Sequence, residues 1–78
     1  MTPLAKEHGL YRLSHYEECI GVIHELKEEN NMLIALIGKI NVVLPIEIKK
    51  DLHPYLGKRL TILRTDDQLR PYRWRLLE

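Results

Sequence analysis

Aromatic and cationic side chains alternate near the end of this 78-residue chain, and they are its strongest chemical signal. The segment reads Tyr72-Arg73-Trp74-Arg75. In a strand, alternation would place the aromatic rings on one face and the guanidinium groups on the other. Aromatic rings stack on unpaired bases, and arginine neutralises phosphate or stacks itself. This chemistry is typical of a surface that binds single-stranded DNA or RNA.

Further cations precede this segment. Four of them flank a predicted helix, where they could form a phosphate-contacting edge or a solvated helix face. The full set of candidate nucleic-acid-binding residues is Lys49, Lys50, Lys58, Arg59, Arg64, Arg70, Tyr72, Arg73, Trp74 and Arg75. The alternative is that both aromatics are core residues and the arginines are simply solvated, because a thin core without Phe needs its single Trp.

The charges are divided unevenly along the chain. Residues 1–48 carry four basic and seven acidic side chains, whereas residues 49–77 carry eight basic and three acidic ones. A basic half can attract phosphate even when the net charge of the whole chain is only +1. The charge distribution therefore favours the second half of the chain as the binding region.

Other chemistries lack a signature in the sequence. The single cysteine, Cys19, excludes an internal disulfide framework and indicates a reducing setting. His8, His15, His24 and His53 have no recognised metal-ligand spacing, and Cys19 near His15 has no third partner for nucleophilic catalysis. There is no glycine-rich phosphate loop. We therefore expect no enzyme activity, no cofactor and no metal site.

Hydropathy gives no indication of a membrane segment. The longest apolar run covers residues 32–37, whereas a bilayer-spanning helix needs about 20 residues. The first residues contain no apolar segment of signal-peptide type. We expect a cytoplasmic protein without membrane contact.

The hydrophobic pattern predicts a flexible tail over residues 1–9 and one β-rich domain over residues 10–78. Alternation and turn residues predict strands over residues 10–16, 18–27, 32–44, 58–65 and 72–77, with a polar turn over residues 28–31 and another over residues 66–71. In the 18–27 strand, alternation places Ile20, Val22, His24 and Leu26 on one face. The 32–44 strand is apolar on both faces, and Gly38 inside it is interpreted as a bulge or bend. Pro45 suits a first helical position, and Pro54 limits the predicted helix to about residues 45–52.

This order is three strands, one short helix and two more strands. It resembles the oligonucleotide/oligosaccharide-binding (OB) fold, a five-stranded Greek-key barrel with its helix between strands 3 and 4. The resemblance is topological and covers residues 10–77. It implies a mainly β, OB-like barrel that binds nucleic acid without catalysis and with little sequence specificity.

A second, local resemblance lies in residues 43–60. Val43-Leu44-Pro45-Ile46-Glu47-Ile48-Lys49 with Leu52, then Gly57-Lys58-Arg59-Leu60, is similar to the core of AbrB-type swapped-hairpin transcription factors. That resemblance implies a dimeric DNA-binding regulator, although His53 stands where those proteins have a glycine. An alternative from another class is a protein-interaction or assembly module, in which an exposed edge strand such as residues 32–44 pairs with a protein partner or a second copy.

Overall fold

Strand β2 is the longest element, and both parts of the sheet pair with it. The structure is a computed structural model that describes residues 9–77. Its strands are β1 (Leu10–Tyr11), β2 (Glu18–Glu29), β3 (Met32–Ile37), β4 (Ile40–Pro45), β5 (Arg59–Arg64) and β6 (Tyr72–Leu76). They form one sheet in the order β1-β4-β3-β2-β5-β6, antiparallel except for the β1–β4 pair. The predicted mainly β class is confirmed.

A bulge at His24 divides β2 into two halves. In the pairing of β2 with β3, Ile23 lies opposite Ile37 and Glu25 lies opposite Leu36, so His24 is the extra residue on β2. The half before the bulge pairs with β5, and the half after it pairs with β3. Because one inserted residue reverses the faces, Ile23 is buried before the bulge, and Leu26 packs on the same core after it. The predicted face that joined His24 to Leu26 is therefore wrong.

Residues 32–44 form a hairpin and not the single strand that the sequence predicted. Gly38 adopts a φ of +63° in the turn between β3 and β4, and Ile37 pairs with Ile40 across it. This left-handed conformation is one that glycine adopts without steric cost. The burial of Ile34 and Val43, which alternate with the main core residues, confirms the prediction that this region is covered on both faces.

The extra hairpin raises the number of strands from the predicted five to six. Within residues 9–77 no pairing joins β1 to β6, so the sheet is not closed into the predicted barrel. The turn predicted over residues 28–31 is confirmed in a tighter form. Asn30 and Asn31 both have positive φ, 50° and 63°, as two-residue hairpin turns require.

The predicted helix is present but continues beyond its expected end. A 3₁₀ turn (Ile46–Ile48), the helix α1 (Lys49–Leu52) and a second 3₁₀ turn (His53–Tyr55) form one helical segment over residues 46–55. Pro45 is the last residue of β4 and not the first helical residue. Pro54 does not stop the segment, because it lies at the start of a new 3₁₀ turn, where its missing N–H is not needed.

The core is contributed by strands β2 to β5, by Leu13 in the segment between β1 and β2, and by one helical residue. Its buried hydrophobic residues are Leu13, Ile23, Leu33, Ile34, Ala35, Ile37, Val42, Val43, Leu44, Leu52, Leu60 and Ile62. Leu52 is fully buried, so the helical segment is fixed against the sheet. No helix among residues 9–77 is long and apolar enough to cross a membrane. Of the predicted tail, residues 1–8 lie outside the described residues.

Candidate nucleic-acid interface

Strand β6 separates its cations from its aromatics as the sequence predicted. Arg73 and Arg75 are exposed, whereas Tyr72 and Trp74 are half-buried and pack against the core. The register places Arg73 beside Leu63 and Arg75 beside Thr61. The two aromatics therefore contribute to the core without being enclosed by it, which leaves part of each ring accessible.

The two arginines line an open cleft of about 640 Å³. We call it the arginine cleft, and its lining residues are Tyr16, Glu18, Thr61, Leu63, Thr65, Asp66, Asp67, Arg73, Trp74 and Arg75. Arg59 is exposed on β5, two residues before Thr61 and so on the same face of the sheet. The structure thus brings Arg59, Arg73 and Arg75 to one surface.

This surface also holds carboxylates that the count of charges along the chain did not predict. Glu18 belongs to the acidic half of the sequence but enters the cleft because β2 pairs with β5, where it stands opposite Leu63. Its Oε2 accepts a hydrogen bond of 2.5 Å from the Thr61 hydroxyl. Asp66 and Asp67 line the same cleft. The local charge is therefore mixed, with three carboxylates beside two guanidinium groups.

Arg64 lies apart from the other arginines, on the inner face of β5. Its Nη1 donates hydrogen bonds to the carbonyl oxygen of Leu13 at 3.3 Å and to the hydroxyl of Tyr72 at 3.2 Å. Its guanidinium carbon lies 5.1 Å from the centre of the Tyr72 ring, within the range of a cation–π interaction. Arg64 therefore orients Tyr72, and the structure does not bring it into the arginine cleft.

The lysines are distributed over other surfaces. Lys49 and Lys50 line a depression of about 490 Å³ with Glu28, Ile46, Glu47 and His53. Lys49 Nζ lies 2.9 Å from Glu28 Oε2. This depression shares no lining residue with the arginine cleft. Lys58 is exposed in the turn after Gly57, next to Arg59.

A small apolar groove lies between the helical segment and β6. It has a volume of about 150 Å³, and we call it the seam groove; its lining residues are Pro45, Ile48, Leu69, Arg70, Pro71, Tyr72 and Trp74. Leu69 is 91% exposed. The sequence interpretation included only Arg70, Tyr72 and Trp74 from this set, since nothing in the pattern shows that Pro45 lies near Trp74.

Side-chain hydrogen bonds fix the loop that contributes Leu69 and Arg70 to the groove. The Thr65 hydroxyl donates to the carbonyl oxygen of Arg70 at 2.8 Å and accepts from the Asp67 amide at 3.1 Å. The Asp67 carboxylate accepts from the Leu69 amide at 2.9 Å. Such local bonds are typical of turns rich in Thr and Asp. The predicted turn before β6 is thus confirmed and well fixed.

The thiol of Cys19 lacks the properties of a catalytic nucleophile. Burial and, to a smaller extent, the nearby Glu17 carboxylate raise its pKa, so the reactive thiolate is disfavoured at neutral pH. Among residues 9–77, no group of three or more His, Cys, Asp or Glu side chains is placed to hold a metal ion. The surfaces described above are therefore the candidate binding sites of residues 9–77.

Comparison with known proteins gives no further guide to these surfaces. No protein-family model matches the chain, and neither curated proteins nor solved structures show significant similarity to it.

Proposed function

We propose that this protein is a non-enzymatic module that binds single-stranded DNA or RNA with little sequence specificity. The observation that carries the proposal is the convergence of Arg59, Arg73 and Arg75 on one exposed face of β5 and β6. None of these three residues forms an ion pair with another side chain of residues 9–77. Their charges are therefore available to phosphate.

The spacing of these cations suits a polyanion that lies along β6. Arg73 and Arg75 are two residues apart on one strand face, which separates their Cα atoms by about 6.5–7 Å. Each phosphate contact on a single strand contributes about −0.7 to the slope of log K against log salt. Three contacts predict a slope of about −2. The carboxylates in the cleft oppose this attraction, so we expect weak binding at physiological salt.

The proposal is tested by titrating the protein with oligothymidylate at several salt concentrations. Arg73→Ala combined with Arg75→Ala should lower affinity for all sequences alike and flatten the salt slope by about 1.4 units. The matched control is Lys27→Ala combined with Lys39→Ala, because both lysines are exposed outside the arginine cleft and the loss of charge is the same. Equal effects of the two double variants would contradict a local site. Absence of binding at low salt would refute the proposal.

A protein-interaction role has one observation in its favour. Residues 32–44 are not the exposed edge strand that the sequence predicted, because β3 pairs with β2 and β4, and β4 also pairs with β1. Within residues 9–77, β6 pairs only with β5, which leaves its other edge free for an added strand. A second copy fits this edge poorly, because antiparallel pairing about Trp74 would place Arg73 opposite Arg75 of the other chain, and like charges opposite each other are destabilising. An extended acidic partner would fit better. Light scattering tests the homodimer, including the AbrB-type arrangement.

The relation to the OB fold also belongs to this proposal. The helical segment connects β4 in one half of the sheet to β5 in the other, whereas the resemblance implied a helix between strands 3 and 4 of a five-stranded barrel; the sixth strand and the open edge are departures from it. We infer that binding uses the β5–β6 face.

A further inference from the structure

We infer that the seam groove is a pocket for one unpaired base of the bound strand, and this inference rests on the proposed function. The groove lies between the edge strand β6 and the end of β4. Pro45 at the end of β4 and Trp74 on β6 line it together, although three strands separate β4 from β6 in the sheet order. The helical segment spans this gap and contributes Ile48.

Trp74 connects the two surfaces. The residue lines both the arginine cleft and the seam groove. Since β6 has a free edge among the described residues, a strand that follows this edge can leave its phosphates beside Arg73 and Arg75 on one face. The base of the same nucleotide then reaches the groove on the other face. Alternation along β6 thus matches the division of a nucleotide into a charged part and an aromatic part.

The lining of the groove fits a nucleobase. Two aromatic rings, two prolines and two aliphatic side chains supply apolar contact to the face of a base, and Arg70 is the only charged residue among them. Arginine at the rim can stack on a base or bond to its polar edge. The volume of about 150 Å³ is enough for one base. Arg70 at the rim lies near Arg73 and Arg75 along the chain, and these three guanidinium groups favour a polyanion as the occupant, against the opposing carboxylates of the cleft.

The aromatic wall is held in place before any ligand binds. Arg64 stacks on Tyr72 and donates a hydrogen bond to its hydroxyl at 3.2 Å, and Tyr72 also packs on the core. The loop bonds of Thr65 and Asp67 fix the opposite wall at Leu69 and Arg70. Binding to a prearranged pocket loses little conformational entropy. The groove can therefore contribute measurably to a weak interaction.

The test compares oligothymidylate with an abasic oligonucleotide of the same length, which keeps the phosphates and lacks the bases. Trp74 is the only tryptophan, so its fluorescence reports directly on the groove. We expect the base-containing strand to quench this fluorescence and to bind about 5- to 150-fold more tightly, the range that corresponds to one stacked base. The abasic strand should bind with little quenching.

A variant distinguishes binding in the seam groove from binding in the arginine cleft. Leu69→Ala should reduce the preference for the base-containing strand and leave abasic affinity unchanged, and its high exposure means that the fold does not depend on it. Ile40→Ala, at an exposed hydrophobic position on β4, is the control. Equal affinity for both strands without quenching, or an unchanged preference in Leu69→Ala, would overturn the base pocket and leave the proposed function standing. If neither strand binds at low salt, both proposals fail.

Discussion

The hydroxyl of Thr61 donates a hydrogen bond of 2.5 Å to the carboxylate of Glu18, and both side chains lie on the sheet face that carries Arg73 and Arg75. Thr61 is buried in this contact. The bond fixes a negative charge within the surface that we propose for phosphate. We therefore expect Glu18 to lower the affinity of the arginine cleft for the proposed polyanion.

Removal of this charge should therefore strengthen binding. Glu18→Gln keeps an oxygen that can accept from Thr61, so the fold is preserved while repulsion of phosphate is lost. We expect affinity for oligothymidylate to rise about two- to fivefold at low salt, with a smaller gain at high salt. Glu25→Gln, on the other half of β2 and outside the cleft, is the charge-matched control. A decrease in affinity for Glu18→Gln would show that the cleft does not receive phosphate.

Local patterns predicted those parts of the fold that depend on neighbours in sequence. The alternation of β6 placed Tyr72 and Arg73 on opposite faces, and the polar residues before Met32 predicted a turn, which the structure shows at Asn30 and Asn31. Both features need only the two-residue period of a strand or the backbone tolerance of Asn. Both features can therefore be predicted without knowledge of tertiary contacts.

The parts that sequence reasoning missed depend on contacts between distant segments. Glu18 and Arg73 line one cleft only through the pairing of β2, β5 and β6, and Pro45 and Trp74 line one groove although β4 and β6 are not neighbours in the sheet. The hairpin at Gly38 was missed for a different reason. Its turn contains one glycine and no cluster of polar residues, so the apolar residues on both sides looked continuous.

The hairpin turn gives a stability prediction that distinguishes it from a bend within one strand. Gly38 has a φ of +63°, and an added Cβ there would meet nothing within 4 Å. Gly38→Ala should therefore lower the free energy of unfolding by about 1–2 kcal/mol through backbone strain alone. Gly38→Asn should cost less, because Asn tolerates the left-handed conformation. Urea unfolding of both variants provides the measurement.

Substitution of Gly21 provides a comparison, because it should destabilise the fold for a different reason. A Cβ at this position would lie 3.1 Å from Ile37 Cγ2 and 3.2 Å from the Gly38 amide nitrogen. Gly21→Ala should therefore destabilise through crowding by about 1–3 kcal/mol, and Asn at Gly21 should be worse than Ala. The order of Ala and Asn should thus reverse between Gly38 and Gly21. The same order at both positions would contradict a left-handed turn at Gly38.

The Glu17 carboxylate makes the stability of the fold depend on pH in the acid range. It accepts a hydrogen bond of 2.8 Å from the Ser14 amide and another from the Tyr11 hydroxyl, and these bonds, the first above all, lower its pKa below the usual 4.5. A lowered pKa means that folding favours the ionised carboxylate. Its contribution to stability is therefore complete above pH 4.5 and is lost as the pH falls through the lower value of the folded state.

Thermal unfolding of Glu17→Gln at several pH values tests this dependence. We expect the variant to melt below the wild type at pH 7 and the gap to narrow as the pH falls below 4.5, because the wild type then loses the same charge. Glu47→Gln is the control, since that exposed carboxylate makes no hydrogen bond or ion pair with another side chain among residues 9–77. The backbone of Glu17 bonds to Arg64, so acid should loosen the end of β5 beside the arginine cleft. A gap that stays constant with pH would show that the carboxylate charge does not stabilise this end of the sheet.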